Sequence, residues 1–355
     1  MAVPRSRRRP SQTGAHALWG QVDRALRQHG MQVRGEVRGG GQDAPHGSNK
    51  ARVGNIEVVG EDAVAVLDVL ADEGLLVPWL GAASSGVMEL RVVAEEGLQA
   101  QHVALRLRLP VGAEAAGGRW WQRRRWRYPA GLSVALLGPD GTGKSTVARA
   151  CCKRLQHLFT GTHVQHLRPS VLPALQRLAN PRQWGRPGGQ MVVTDPHGKP
   201  AAGGLSSLLR LAYYSGDYLV GYVPRLYWPA VQGRLVMFDR YHPDLLADPL
   251  RWRIGLPTLP RQLATRALPL PDLVVLLDGP AAMLHARKEE LSPDEIARQL
   301  VVYRALVGRL SNGYVVSVEP APELVVTAVC KLVVRRQAGM VRRRMQSFRG
   351  KESNS

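Results

Sequence analysis

The sequence predicts an α/β protein: an open parallel sheet with flanking helices, preceded by a smaller α+β domain. In the second half of the chain, short apolar runs alternate with long stretches of helical character, which is typical of buried parallel strands joined by crossover helices. The composition changes abruptly at RWWQRRRWRY, residues 119–128, and this indicates a domain junction. A chain of 355 residues is long enough for two domains.

The junction divides the chain into four predicted parts. These are a small α+β domain over residues 1–118, a basic Trp/Arg linker over 119–130, an α/β domain over 131–336 and a basic tail over 337–355. Residues 335–351 hold seven cations and no acid, which is typical of a solvated helix end followed by disorder.

Each predicted element rests on a local pattern. In the first domain the pattern predicts strands over 54–59, 87–93 and 102–109 and a helix over 61–73. The alternation of apolar and polar residues indicates an antiparallel sheet with one wet face. In the second domain it predicts strands over 132–137, 235–238, 273–277 and 314–318, with a closing helix from Pro322.

The segment GPDGTGKST, residues 138–146, fits the pattern GxxxxGK(S/T) and lies between a predicted strand and a predicted helix. Glycines at this spacing let backbone N–H groups converge on phosphate oxygens at the positive end of the helix dipole. The sequence therefore predicts a P-loop NTPase domain. The predicted ATP-binding residues are Gly138, Pro139, Asp140, Gly141, Thr142, Gly143, Lys144, Ser145 and Thr146.

Two P-loop side chains have expected chemical roles. Lys144 would bridge the β- and γ-phosphates of ATP during transfer, and the Ser145 hydroxyl would ligate Mg²⁺. ATP and Mg²⁺ are the predicted cofactors.

The triplet Asp239-Arg240-Tyr241 follows a predicted buried strand, about a hundred residues after the P-loop. Together with GPDGTGKST it resembles the DR(Y/H) motif of the thymidylate kinases, a nucleoside monophosphate kinase type of P-loop kinase, over roughly residues 132–334. The resemblance implies that Asp239 organises Mg²⁺, that Arg240 clamps the acceptor phosphate and that Asp140 lies near the acceptor sugar. It implies phosphoryl transfer from ATP to a nucleoside monophosphate, thymidylate-like, or to a similar small acceptor.

The charged segment ARKEELSPDEIARQ, residues 286–299, resembles the mobile lid of these kinases. Arg287 would then be a catalytic residue over the transferring phosphoryl group, with Arg298 as second choice. A solvated helix face explains the same charges equally well. Upstream, Tyr214 and Tyr218 are one helical turn apart and either stack on a base or pack in the core.

The first domain resembles the nucleotidyltransferase-like domain that some thymidylate-kinase-like proteins carry at the amino terminus. The segment GNIEVV offers only Glu57 where that fold pairs carboxylates for metal, and the later strand carries Arg106 and Arg108. The resemblance therefore implies a degenerate domain without catalysis.

Two alternative functions remain open. One is an ATP-binding regulatory or assembly protein without acceptor turnover. The other is a kinase of nucleic-acid ends, because Trp120, Trp121 and Trp126 interleave with arginines and the net charge is +20. An Arg-rich linker is the favoured interpretation of that segment, so nucleic acid is not the favoured partner. A homodimer is compatible with the sequence.

The sequence also predicts a cytoplasmic location. No apolar run approaches the roughly 20 residues that span a bilayer, and the basic start of the chain has no apolar stretch of a secretory signal. Three cysteines without metal or disulfide spacing fit a reducing compartment.

Overall fold

The computed structural model describes residues 13–31, 33–36, 52–59, 63–73, 75–80, 87–94, 102–108, 126, 129–173 and 201–352. The chain forms two compact units. The first comprises Met1–Ala130, Arg154–Phe159 and Cys330–Ser355, and the second comprises Gly131–Lys153 and Thr160–Val329.

The described part of the first unit contains a five-stranded sheet and two helices, together with the end of a further helix from Cys330 onward. The strands are β1 (Val33–Glu36), β2 (Arg52–Val59), β3 (Leu75–Leu80), β4 (Val87–Ala94) and β5 (His102–Arg108), and the helices are α1 (Thr13–Gln28) and α2 (Ala63–Asp72). Buried residues of α1, such as Val22 and Leu26, share one core with Leu70 of α2 and with Leu90 and Leu105 of the sheet.

The strand order of this sheet is β1-β2-β5-β4-β3, and β2 pairs with β5 in parallel while the other pairs are antiparallel. The prediction of an antiparallel sheet was therefore wrong for the central pair. Helix α2 carries the chain across so that β3 runs in the direction of β2, and two reversals later β5 returns in that same direction beside β2.

The second unit is built on a parallel sheet. Its strands are β6 (Leu132–Leu137), β7 (Gly161–His166), β8 (Arg234–Asp239), β9 (Leu273–Asp278) and β10 (Gly313–Ser317), in the order β10-β9-β6-β8-β7. Every neighbouring pair is parallel. The predicted open parallel sheet, preceded by a smaller α+β region, is confirmed.

Helices flank this sheet. In the second unit these are α3 (Lys144–Leu155), α4 (Gly204–Gly221), α5 (Trp228–Val231), α6 (Asp244–Ala247), α7 (Thr258–Ala267), α8 (Ala281–Arg287) and α9 (Pro293–Val307), with a 3₁₀ turn at Pro249–Trp252 and a π-helical stretch at Tyr222–Tyr227. The last helix, α10 (Pro322–Glu352), begins in the second unit and belongs to the first unit from Cys330, and a 3₁₀ turn at Gln156–Leu158 also belongs to the first unit. Among these elements, no helix is long and apolar enough to cross a membrane.

The central strands explain where a site can form. All residues of β6 are buried, and β8 and β9, which flank it, are buried except at one end. From β6 the chain continues to β7 on one side of the sheet, and from β8 it crosses back over β6 to β9 on the other side. Such a reversal of strand order opens a crevice at the carboxyl edge of a parallel sheet. The P-loop segment starts at that edge.

The predicted basic tail is helical. Helix α10 continues to Glu352, through the residues for which the sequence predicted a solvated helix end followed by disorder. Val341 is buried in the core of the first unit, so apolar packing extends the helix beyond the point that the run of cations indicated.

Candidate functional site

The P-loop connects β6 to α3 through three glycines with positive φ. Gly138 has φ +138°, Gly141 has φ +87° and Gly143 has φ +82°. A methyl group on Gly141 would lie 2.5 Å from the carbonyl oxygen of Leu284 in α8, whereas one on Gly143 would meet no atom within 4 Å. The loop is thus packed against protein at Gly141 and faces open space at Gly143, where a phosphate can approach the backbone.

The Lys144 side chain is buried and folds back onto the loop. Its Nζ donates to the carbonyl oxygens of Gly138 at 2.8 Å and Pro139 at 2.6 Å, and it lies 3.3 Å from the Thr142 hydroxyl. Burial, helped by the nearby charge of Arg240, lowers the pKa of Lys144 to about 7. Loop carbonyls therefore hold this ammonium group at the position from which it can reach phosphate oxygens.

Ser145 and Asp239 meet at the carboxyl edge of the sheet. The Ser145 hydroxyl donates a hydrogen bond to Oδ2 of Asp239, the last residue of β8. His166, the last residue of β7, lies beside the same oxygen, with its Nδ1 at 3.3 Å. Residues far apart in the chain thus converge on one carboxylate oxygen.

Asp239 has the properties of a cation ligand. Burial opposes its ionisation, but the hydrogen bond from His166 and the charge of Lys144 outweigh burial and lower the pKa of Asp239 to about 2. Its Oδ1 is buried and has no hydrogen-bond partner among the described residues. An ionised carboxylate with one oxygen left over, next to a hydroxyl, fits the oxygen ligands that Mg²⁺ prefers.

Arg240 is almost completely buried and has the left-handed φ of +79°. Its Nη1 donates to Asp244 at 2.9 Å and its Nη2 donates to Asp140, while the Tyr303 hydroxyl donates to the second oxygen of Asp244 at 2.8 Å. The predicted phosphate clamp thus appears here as a bridge between the P-loop and the start of α6. Its guanidinium charge is balanced by two carboxylates.

Asp140 is the centre of an ionic cluster that the sequence did not indicate. Arg240 donates to its Oδ1, Arg251 donates to its Oδ2, and Lys288 Nζ lies 4.0 Å from Oδ1. Arg251 also donates to Asp248 at 2.9 Å. Burial opposes ionisation of Asp140, but these cations and Lys144 hold its pKa far below the usual range. Both oxygens that could accept from an acceptor hydroxyl are therefore engaged.

The predicted lid, residues 286–299, spans the end of α8, the turn that follows it and the first part of α9. Arg287 donates through Nη2 to the carbonyl of Val318 at 3.2 Å, and Arg298 forms a two-pronged pair with Glu295 one turn earlier on α9. Lys288 is the residue of this segment that contacts the P-loop carboxylate. The structure brings Lys144, Ser145, Asp239, Arg240 and Asp140 together, and it places Arg287 on a backbone carbonyl.

Tyr214 and Tyr218 of α4, the two tyrosines considered for base stacking, pack in the hydrophobic core of the second unit. Tyr218 is fully buried, donates to the Leu167 carbonyl at 2.8 Å and packs edge-on against Tyr241. Tyr214 is edge-on to Trp252, with ring centroids 4.6 Å apart. Both rings pack in the described structure, so core packing is the interpretation that these contacts favour.

Asp217, also on α4, anchors the loop that follows β7. It is fully buried and accepts from Arg168 at 2.8 Å and from the backbone N–H groups of Ser170, Val171 and Leu172 at 3.1, 2.9 and 2.7 Å. The backbone N–H of Leu167 in turn donates to the carbonyl of Asp239 at 2.8 Å. The loop is thereby fixed next to the Ser145–Asp239 pair.

Several residues of this site were not singled out from the sequence. Asp244 and Arg251 lie in a stretch of mixed apolar and polar residues, Lys288 lies in the predicted lid without a distinguishing pattern, and His166 ends a strand that lacks an apolar run. The Trp/Arg segment at 119–128 lies outside the described residues except for Trp126, which is half exposed.

Comparisons with known proteins identify distant relatives. No family model matches the chain. Thymidylate kinases of Xanthomonas campestris pv. campestris, among them those of strains B100 and 8004, are 29% identical over 187 residues, which is 51% of this chain and 73% of their own length. A crystal structure of thymidylate kinase from Ehrlichia chaffeensis aligns over 58% of this chain and 100% of its own, with 14% identity and a TM-score of 0.39. Over about half of its length, this chain is a distant homologue of the thymidylate kinases.

Proposed function

We propose that this protein transfers a phosphoryl group from ATP to a nucleoside monophosphate or to a similar small acceptor. The observation that carries the proposal is the hydrogen bond between Ser145 and Asp239. It joins the hydroxyl of a GxxxxGK(S/T) loop to the carboxylate at the end of the neighbouring parallel strand. The distant relationship to thymidylate kinases supports the same reaction class.

The residues present fit ATP and Mg²⁺. The open space at Gly143 and the first N–H groups of α3 would hold the phosphates, and Ser145 with Asp239 would hold the cation. Bound Mg²⁺ would neutralise charge on the phosphate oxygens.

The chain contributes positioning and charge. Lys144 would exchange the loop carbonyls of Gly138 and Pro139 for phosphate oxygens. The negative charge of the phosphates would stabilise the charged form of Lys144, which burial disfavours without nucleotide. Arg240 holds the P-loop and α6 together through Asp140 and Asp244. Lys288, near Asp140, is placed to add positive charge on the lid side of the loop.

Turnover measurements test this proposal. Purified protein with Mg²⁺ and ATP is assayed for ADP formation with a panel of nucleoside monophosphates including thymidylate, sugars and oligonucleotide ends. We expect one acceptor class to stimulate turnover, and we expect Lys144→Ala and Asp239→Asn to abolish it. Asp278→Asn is the matched control, because Asp278 ends β9, the strand on the other side of β6, and pairs with the exposed Arg304. Turnover that survives Asp239→Asn would overturn the proposal.

A second candidate is an ATP-binding regulatory or assembly protein. It is favoured by the pairing of Arg240 with two carboxylates and by the occupation of both Asp140 oxygens, which leave neither residue open to an acceptor. Binding of ATP without stimulation by any acceptor would favour this function. Stimulation by oligonucleotide ends would instead support a nucleic-acid-end kinase. The domain limits drawn from the sequence, the cytoplasmic location and a homodimer remain predictions.

A further inference from the structure

His166 occupies a special place in the sheet. It is the last residue of β7 and stands in parallel register with Asp239, the last residue of β8, so the two side chains leave adjacent strands at the same edge. Its imidazole Nδ1 lies 3.3 Å from Asp239 Oδ2, and the ring is 61% exposed. The ring therefore borders both the buried carboxylate and solvent at the open edge of the site.

The chemistry of the pair fixes the direction of the hydrogen bond. A carboxylate oxygen accepts hydrogen bonds and an imidazole N–H donates them, so the contact between His166 Nδ1 and Asp239 Oδ2 assigns the donor role to Nδ1–H. Oδ2 then accepts from both Ser145 and His166. With Oδ2 held by two donors, the carboxylate cannot rotate freely, and Oδ1 is the oxygen left without a partner among the described residues.

We propose that His166 is a positioning residue that orients Asp239 for Mg²⁺ and thereby makes nucleotide binding depend on the metal. This inference rests on the proposed use of ATP and Mg²⁺. The Nδ1–H of His166 stabilises one rotamer of Asp239. The Ser145 hydroxyl continues to donate its hydrogen bond to Oδ2, so a lone pair on its oxygen is available to the cation. Partners that orient metal-binding carboxylates and histidines typically change metal affinity by about 10- to 100-fold when removed.

The test measures binding as well as turnover. A fluorescent ATP analogue is titrated into the full-length protein at several Mg²⁺ concentrations and again in EDTA. For His166→Ala we expect the Mg²⁺ concentration at half-maximal binding to rise about tenfold, with unchanged binding in EDTA. His166→Asn, whose side-chain amide can replace the Nδ1 donor, should restore most of the metal dependence. Mn²⁺ affinity, measured by electron paramagnetic resonance in the presence of ATP, should fall slightly in His166→Asn and most in His166→Ala.

His163 supplies the matched control. It lies on the same strand and is also exposed, but its ring contacts Gln165 and not Asp239. His163→Ala should leave the Mg²⁺ dependence unchanged. The inference is overturned if His166→Ala keeps the wild-type Mg²⁺ dependence, if it weakens binding in EDTA by the same factor, or if His163→Ala has the same effect. A wild-type protein that binds ATP with Mg²⁺ but phosphorylates no acceptor would refute the proposed kinase reaction. The role of His166 could still be tested, because its test measures binding. A wild-type protein without Mg²⁺-dependent ATP binding would refute both.

Discussion

The guanidinium of Arg240 bridges the carboxylates of Asp140 in the P-loop and Asp244 in α6, with Nη1 2.9 Å from Asp244. All three groups are buried or nearly so. Removing one partner of a buried charge cluster leaves an uncompensated charge, which costs far more than an exposed pair is worth.

We therefore expect Arg240→Ala to lower the free energy of unfolding by about 3–5 kcal/mol, measured by urea denaturation. Arg304→Ala, which removes an exposed pair with Asp278, should cost no more than about 1 kcal/mol. Equal losses in the two variants would show that the Arg240 bridge does not stabilise the fold.

Alanine substitutions at two P-loop glycines should affect stability and ATP binding differently. Gly143→Ala places a methyl group in open space, so we expect a stability loss of about 1–2 kcal/mol from the left-handed backbone together with a large loss of ATP binding. Gly141→Ala adds a clash with the Leu284 carbonyl and should lower the melting temperature further. Thermal unfolding with and without ATP measures both effects, and wild-type ATP affinity in Gly143→Ala would contradict a phosphate site there.

Two neighbouring cations of the predicted lid, Arg287 and Lys288, should differ in their effect on turnover. Lys288 Nζ lies 4.0 Å from Asp140 and 3.1 Å from Glu290, while Arg287 is bound to the Val318 carbonyl. We therefore expect Lys288→Ala to lower kcat by about 100-fold, the lower end of the range for removal of one donor to the transferring charge. Arg287→Ala should have the smaller effect on kcat. The reverse order would restore Arg287 to the catalytic role that the sequence motif implied.

Acid should destabilise the protein through His242. Burial lowers the pKa of His242 to about 3 from the ordinary value of 6.5. Between these values the unfolded chain binds the proton and the folded chain does not, so stability falls as the pH drops from 6.5 towards 3, by up to about 1.4 kcal/mol per pH unit.

The measurement for His242 is urea unfolding at several pH values for the wild type and for His242→Asn. The variant should show a flatter decline below pH 6.5, since the asparagine does not titrate. Parallel curves for the two proteins would mean that His242 is protonated without cost in the folded state.

Much of the sheet could be predicted because its central strands are buried on both faces. The predicted strands at 132–137, 235–238 and 273–277 correspond to β6, β8 and β9, where every residue or nearly every residue is apolar. Strand β7, GTHVQH, was missed because an edge strand that is half exposed has no apolar run to reveal it. Strand β3 was missed because Pro78 interrupts its pattern.

In the candidate site, too, residues in local motifs could be predicted, whereas residues brought together by the fold could not. The P-loop and the Asp239-Arg240 pair have fixed local spacing and could be recognised in the sequence. The partners of Asp140 are 100 or more positions away, and only the sheet order brings Arg240 and Arg251 onto one carboxylate. Nothing in the local pattern around Arg251 distinguishes it from a surface arginine.

Asp217 has a consequence for hydrogen exchange. Its single carboxylate accepts from three consecutive backbone amides, at Ser170, Val171 and Leu172. These amides belong to a loop, where exchange with solvent is ordinarily fast. Because they share one carboxylate, they should be protected together and released together, so that exchange at these three positions reports the opening of the loop after β7 as one event.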